Sequence, residues 1–170
     1  MWEHTGEQRP DFAEPPQPGQ ESVWDYPRPP VLVTNTSLVQ VLHGEEVVAQ
    51  SSSTQRVLET ASPPTYYFHS DDIQWGMLTA VDDKSYCEWK GTATYWALAT
   101  DVTRQPIAWQ YQDPSPRFSN IAGCISFYPG RIACFVDAER VQPQPGEFYG
   151  GWVTSKIAGP FKGEPGTGHW

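Results

Sequence analysis

The chain has 170 residues, enough for one domain with extensions and a core that needs no metal or disulfide to hold it. Its formal net charge of −9 argues against non-specific binding to nucleic acid or to an anionic membrane surface, because both need clustered Lys and Arg. Charged residues make up only 18% and the mean hydropathy is −0.54, so the polarity comes from Pro, Gly, Ser, Thr and Gln, which favour loops and strands over charged helices.

Residues 1–30 read as a Pro-rich arm. Pro10, Pro15, Pro16, Pro18, Pro27, Pro29 and Pro30 oppose regular structure, and Trp24 and Tyr26 are placed to pin the arm's end to the domain. The opening "MWEHTGEQRPDFAEPP" has no basic segment followed by an apolar one, and no apolar run reaches the roughly 18 residues of a membrane span. Three cysteines with no C-x-x-C add to this, and a reducing, cytoplasmic setting is the expectation.

Residues 31–141 carry a series of short strand signals. "SLVQVLHGEEVVAQS" predicts a hairpin turning at His43-Gly44. "SSTQRVLETA" carries a weak capping box, Ser52 with Gln55, which predicts one short helix over 53–59. A strand follows over 65–69. "SYCEWKG" and "TATYWALATD" give two more, split or bulged near Gly91. "PIAWQY" is another, and "DPSPRFSNIAG" is a turn with room for one helical turn. "CISFYPGRIACFVD" reads as a hairpin with Pro129-Gly130 at its tip. Six to eight short strands and little helix predict a mainly β, antiparallel domain. Residues 142–170 are rich in Gly and Pro but keep Phe148, Tyr149, Trp152, Phe161 and Trp170. Disordered segments rarely hold so many rings, so this tail is expected to be ordered and to pack on the domain.

The candidate chemistry is sparse. Cys87, Cys124 and Cys134 and the four histidines are scattered and unpaired, so no metal site is expected. On a two-residue turn at Pro129-Gly130, Cys124 and Cys134 point to opposite faces of their ribbon, which argues against a disulfide. In a regular strand Cys87 shares a face with Trp89, and Lys90 lies on the other. A Cys87–Lys90 pair therefore needs a bulge, for which Gly91 is the place. On the short helix, Arg56 and Glu59 stand at i and i+3 and meet as an ion pair; on a strand they face opposite ways. There is no G-x-x-x-x-G-K-[ST] loop and no G-x-S-x-G elbow. Eight tryptophans and 14% aromatic residues suit either a ring-filled β core or an aromatic-lined cleft.

Four motifs in order, "RVLETASPPTYYF", "CEWKGTATYW", "AWQY" and "IAGCISFY", resemble the family described as domain of unknown function 427, over residues 31–141. The tail "FYGGWVTSKIAGPFKGEPGTGHW" is similar to extended members from cyanobacteria and fungi. The resemblance implies a compact β-tent of the Mss4-like type without its zinc. A nucleotidyltransferase label is sometimes attached to the family, but no Gly-Ser with paired aspartates supports it here. Carried over by position, the family's recurrent polar and aromatic residues fall on Arg56, Glu59, Tyr66, Tyr67, Cys87, Lys90, Gly91, Tyr95, Trp109 and Tyr111.

Three functional expectations follow. The first is a small-molecule-binding domain in which Tyr66, Tyr67, Trp89, Tyr95, Trp109 and Tyr111 line a cleft while Arg56 and Lys90 anchor a flat anionic ligand such as a tetrapyrrole. The second is an enzyme with Cys87 as nucleophile or redox thiol, Glu59 as general base and Lys90 or Arg56 as anion stabiliser. The third is a scaffold whose arm and tail dock a protein partner or a second copy. Neither nucleic acid nor membrane is an expected partner, and no cofactor is named.

Overall fold

Apolar residues recurring every second position give strands in this chain wherever two neighbours are available to complete the hydrogen-bonding ladder. The computed structural model describes residues 2–170 and contains ten strands of three or more residues among these. Its helical elements are short 3-10 segments such as Val23–Asp25 and Pro116–Ile121. The architecture is mainly β with antiparallel sheets, as the sequence predicts.

Three sheets form the body. The first sets Gln55–Leu58 between Val31–Thr34 and Thr65–Tyr67. The second runs Ile125–Phe127, Ala108–Gln110, Gly91–Leu98, Leu78–Cys87. The third runs Glu139–Arg140, Ala133–Val136, Val39–His43, Glu46–Ser51. A main core cluster includes Val39, Val41, Phe68, Ile125, Phe127, Cys134 and Trp152. A second cluster, with Val57, Tyr67, Trp109, Tyr111, Phe118, Ile121 and Cys124, forms the floor of the site described below.

Arm and tail pack on the body and on each other. Glu21–Ser22 pairs in parallel with Ile157–Ala158. Trp24 is fully buried, and its Nε1 donates to the Pro160 carbonyl at 3.1 Å. The tail's Trp152 is also fully buried, its Nε1 donating to the Phe127 carbonyl at 2.9 Å. No helix among the described residues is long and apolar enough to cross a membrane.

Three local expectations are overturned. The helix over 53–59 is instead the strand Gln55–Leu58, hydrogen-bonded on both edges. Two complete ladders outweigh a capping box that satisfies only the first turn of an isolated helix. The hairpin over 124–136 does not form: Ile125–Phe127 pairs with Ala108–Gln110, whereas Ala133–Val136 pairs with Val39–His43. Residues 128–132 therefore cross between two sheets, because each strand finds its ladder partner in a different sheet. Cys124 and Cys134 consequently sit in different core clusters rather than on one ribbon, and both are free thiols. The first hairpin turns one residue later, with His43 opposite Glu46 and Gly44 at φ 62°.

Candidate functional site

Side-chain direction in a strand is fixed by parity, and the register of the first sheet divides the candidate residues between two faces. Arg56 lies opposite Tyr66, and Gln55 lies opposite Tyr67. Arg56 and Tyr66 thus share the face that lines a polar groove with Glu21, Asp137 and Lys156. Arg56 makes a two-pronged pair with Glu21 there, at 2.8 and 3.3 Å. Tyr67 and, beyond the strand's end, Glu59 line a separate cavity of about 380 Å³.

That cavity gathers Glu59, Tyr67, Cys87, Trp89, Lys90, Tyr95, Trp109 and Tyr111, so eight of the ten residues given roles from the sequence meet there and Arg56 and Tyr66 do not. Larger concavities exist, such as a groove of about 650 Å³ by His43, Glu46 and Met77. Neither that groove nor the one at Arg56 draws together aromatic rings and lysines in this way.

The Cys87–Lys90 juxtaposition comes from the turn Glu88-Trp89-Lys90, which joins Leu78–Cys87 to Gly91–Leu98. Cys87 pairs with Gly91, whose φ of 100° is a backbone conformation that favours glycine. Ser115 ties the turn down: its hydroxyl donates to the Trp89 carbonyl at 2.6 Å and its N–H to the Lys90 carbonyl at 3.3 Å. Lys90 is folded back over the cavity floor, its Nζ 5.8 Å from the ring centroids of both Tyr111 and Phe118.

On the opposing strands, Tyr95 stands across from Trp109, and Trp109 Nε1 donates to the Tyr67 hydroxyl at 2.9 Å. The Ser85 and Tyr95 hydroxyls are hydrogen-bonded to each other. Burial pushes the Tyr67, Tyr111 and Tyr128 hydroxyls above the ordinary phenol range, so at neutral pH the cavity offers protonated phenols. Burial alone would lower the Lys90 pKa, but the Tyr67 oxygen, the Cys87 sulfur and the Glu59 carboxylate hold it raised.

The roof comes from residues that sequence reasoning did not assign. Trp2 from the arm and Phe148, Tyr149 and Lys162 from the tail complete the lining. Lys162 is 6% exposed, with Nζ 4.8 Å from the Trp2 ring centroid and 5.6 Å from that of Tyr149. It donates to the main-chain oxygen of Trp170 at 3.2 Å. Burial and then the Arg28 guanidinium push its pKa below the ordinary lysine value, against the pull of Glu59 and Glu88. Arg28 is buried beneath the same Trp2 ring, 4.1 Å from its centroid, and pairs with Glu59 at 3.3 Å. Arg28 also donates to the carbonyls of Thr60 and His4, while its Nε has no partner among the described residues. One signal pointed toward this roof without naming its residues: the ring-rich tail, expected to pack on the domain. Tyr128 follows Phe127, so strand parity alone turns it away from the main core.

Among the described residues no carboxylate side chain lies within ion-pair distance of Lys90 or Lys162. Among the described residues no histidine lines the cavity, and no group of three or more His, Cys, Asp or Glu side chains is placed to hold a metal ion.

Fold and site together define an antiparallel β domain with an aromatic, lysine-bearing cavity closed by the chain's own two ends. Its residues 31–142 match the model described as domain of unknown function DUF427, and the chain belongs to that family. Glu59, Tyr67, Cys87, Lys90, Tyr95, Trp109 and Tyr111 fall inside the matched segment, whereas Trp2, Tyr149 and Lys162 fall outside it. No curated protein matches the sequence.

Proposed function

We infer that the chain binds a small planar anionic ligand in this cavity. The observation that carries the reading is that Lys90 and Lys162 both reach one aromatic-walled cavity while, among the described residues, no carboxylate side chain lies within ion-pair distance of either. Burying a lysine with no carboxylate side chain beside it is costly, and an anion entering between the two relieves that cost. The rings of Trp109, Tyr95 and Tyr111 supply flat apolar surface, and the protonated phenols supply hydrogen-bond donors.

The volume of about 380 Å³ lies near the lower end of the range for small-molecule sites, roughly 300–1,000 Å³. A ligand of one or two rings suits it. A tetrapyrrole requires Trp2 and Tyr149 to withdraw. Titration with aromatic carboxylates and phosphates, followed by tryptophan fluorescence, gives saturable quenching, because Trp2, Trp89 and Trp109 line the site. Lys90→Met weakens binding by about tenfold, the worth of one charged hydrogen bond. A flat response to every planar anion refutes the reading.

One observation favours the enzyme alternative: the Cys87 thiol and the Lys90 ammonium lie side by side in the cavity lining. Against it, Glu59 is engaged by Arg28, so no free base accompanies the thiol. Alkylation of Cys87 across a pH series separates the two; a thiol reacting like free cysteine, near ~8.5, removes the alternative.

A further inference from the structure

Two buried cations converge on the indole of Trp2: the Arg28 guanidinium carbon lies 4.1 Å from the ring centroid and Lys162 Nζ 4.8 Å. Among the described residues one carboxylate side chain serves the two at ion-pair distance, Glu59, 3.3 Å from Arg28. Arg28 Nε is buried with no partner among those residues. A neutral ring offers these charges its electron-rich face but no counter-charge. A ring bearing an acidic group offers both. Trp2 is also held less firmly than the core indoles. Trp24 and Trp152 are fully buried, and each donates an indole hydrogen bond to a carbonyl. Trp2 is partly buried and precedes the arm's anchors. The exposed Glu3 separates it from His4, which packs edge-on to Trp24 at 5.1 Å, and Arg9 grips Asp25 through two bonds of 2.7 Å. The Trp2 ring can therefore leave while the rest of the arm stays docked.

We propose that the place filled by Trp2 is a second anion subsite, built by Arg28 and Lys162, and that the cavity's ligand is an extended planar diacid that displaces the indole. One acidic group meets Lys90; the other meets Lys162 and Arg28 Nε. This rests on the ligand-binding reading above and adds to it the ligand's second acidic group and its length. The two lysines stand on different walls: Lys90 lies over Tyr111 and Phe118, Lys162 over Trp2 and Tyr149. A single small acid reaches one of them, whereas a diacid spans both. The volume of about 380 Å³ is what remains with Trp2 in place, and withdrawing the indole enlarges it. Trp2 thus acts as an internal competitor, and the apparent affinity for the diacid falls with the fraction of molecules in which the ring has withdrawn. Trp2, Arg28 and Lys162 all lie outside the DUF427 segment, so this subsite belongs to the chain's two ends rather than to the shared domain.

The test uses the full chain and titration calorimetry, with trans-stilbene dicarboxylate as the flat, extended diacid and trans-stilbene monocarboxylate as its single-acid counterpart. Trp2→Ala should raise the ratio of diacid to monoacid affinity about tenfold, because the competing ring is gone. Adding Lys162→Met to Trp2→Ala should cancel that gain, weakening the diacid about tenfold. The unaltered chain gives a readout that no variant's folding can confuse: saturating diacid should move the Trp2 indole N–H signal in the NMR spectrum to a solvent-exposed position, and the monoacid should not. A ring that serves only as a wall predicts the reverse, and a diacid-to-monoacid ratio that falls in Trp2→Ala overturns the proposal. So does a Trp2 signal that stays in place at diacid saturation. Monoacid binding that Lys90→Met weakens, without any gain for the diacid in Trp2→Ala, removes the second subsite and leaves the single-anion reading standing. No binding of either acid to the unaltered chain or to Trp2→Ala removes both.

Discussion

Arg28→Met tests the rear wall of the cavity. The Arg28 side chain is 1% exposed, and its guanidinium pairs with Glu59, donates to two carbonyls and lies under the Trp2 ring. Removing one partner of a buried ion pair costs roughly 3–5 kcal/mol, mostly because the other charge is left uncompensated. The Glu59 side chain is 21% exposed and recovers some hydration, which places the loss at the lower end, about 3 kcal/mol. For a chain of this length each kcal/mol moves Tm by roughly 2–4 °C, so calorimetry should show a fall of about 6–12 °C. The double variant Arg28→Met/Glu59→Gln removes the orphaned charge and should be more stable than Arg28→Met alone by about 1–2 kcal/mol. A single-variant loss under about 1 kcal/mol, or a double variant equal to the sum of the two singles, refutes the reasoning.

Other outcomes follow from the same geometry. Gly150→Ala puts a Cβ 2.5 Å from Trp109 Cη2 and 3.1 Å from Tyr128 Cδ1, so denaturant titration should show a loss of about 1–3 kcal/mol. The displaced Trp109 ring should also weaken ligand quenching. Trp152→Phe strands the Phe127 carbonyl and leaves a void in the main core; urea unfolding should register a loss of about 2–4 kcal/mol, and a loss under about 1 kcal/mol contradicts the packing. Arg56 holds the Glu21 carboxyl below its ordinary value of 4.5. The resulting stability is present above that value and is lost as pH falls through the lower folded-state pKa. Arg56→Gln should therefore flatten the dependence of the urea midpoint on pH below 4.5; an unchanged slope counts against the pair.

Much of the fold was legible because strand parity and turn chemistry are local. The split at Gly91 was readable from glycine's freedom at positive φ, and that turn is what brings Cys87 and Lys90 together. The errors arose where partners distant in sequence decide. A four-residue segment such as Gln55–Leu58 fits a helical turn or a strand equally well until Val31–Thr34 and Thr65–Tyr67 arrive on its edges. That one misreading kept Arg56 and Glu59 together, whereas the strand sends them to different faces. Tyr66 and Tyr67, adjacent in one strand, could not both line one cleft, and parity already implied it. The segment with Pro129-Gly130 turns like a hairpin but joins two sheets, which no local signal distinguishes. Arg28 and Lys162 were beyond reach for a similar reason: a lone cation in an arm or a tail acquires meaning only when both ends fold onto the same cavity.

A crystal structure of the chain soaked with a planar aromatic carboxylate tests the central claim most directly. The account predicts the ring against Trp109 and Tyr111, with its carboxylate in hydrogen-bonding distance of Lys90 Nζ. Density for the ligand in the Arg56–Glu21 groove with the Lys90 cavity left to water would contradict it.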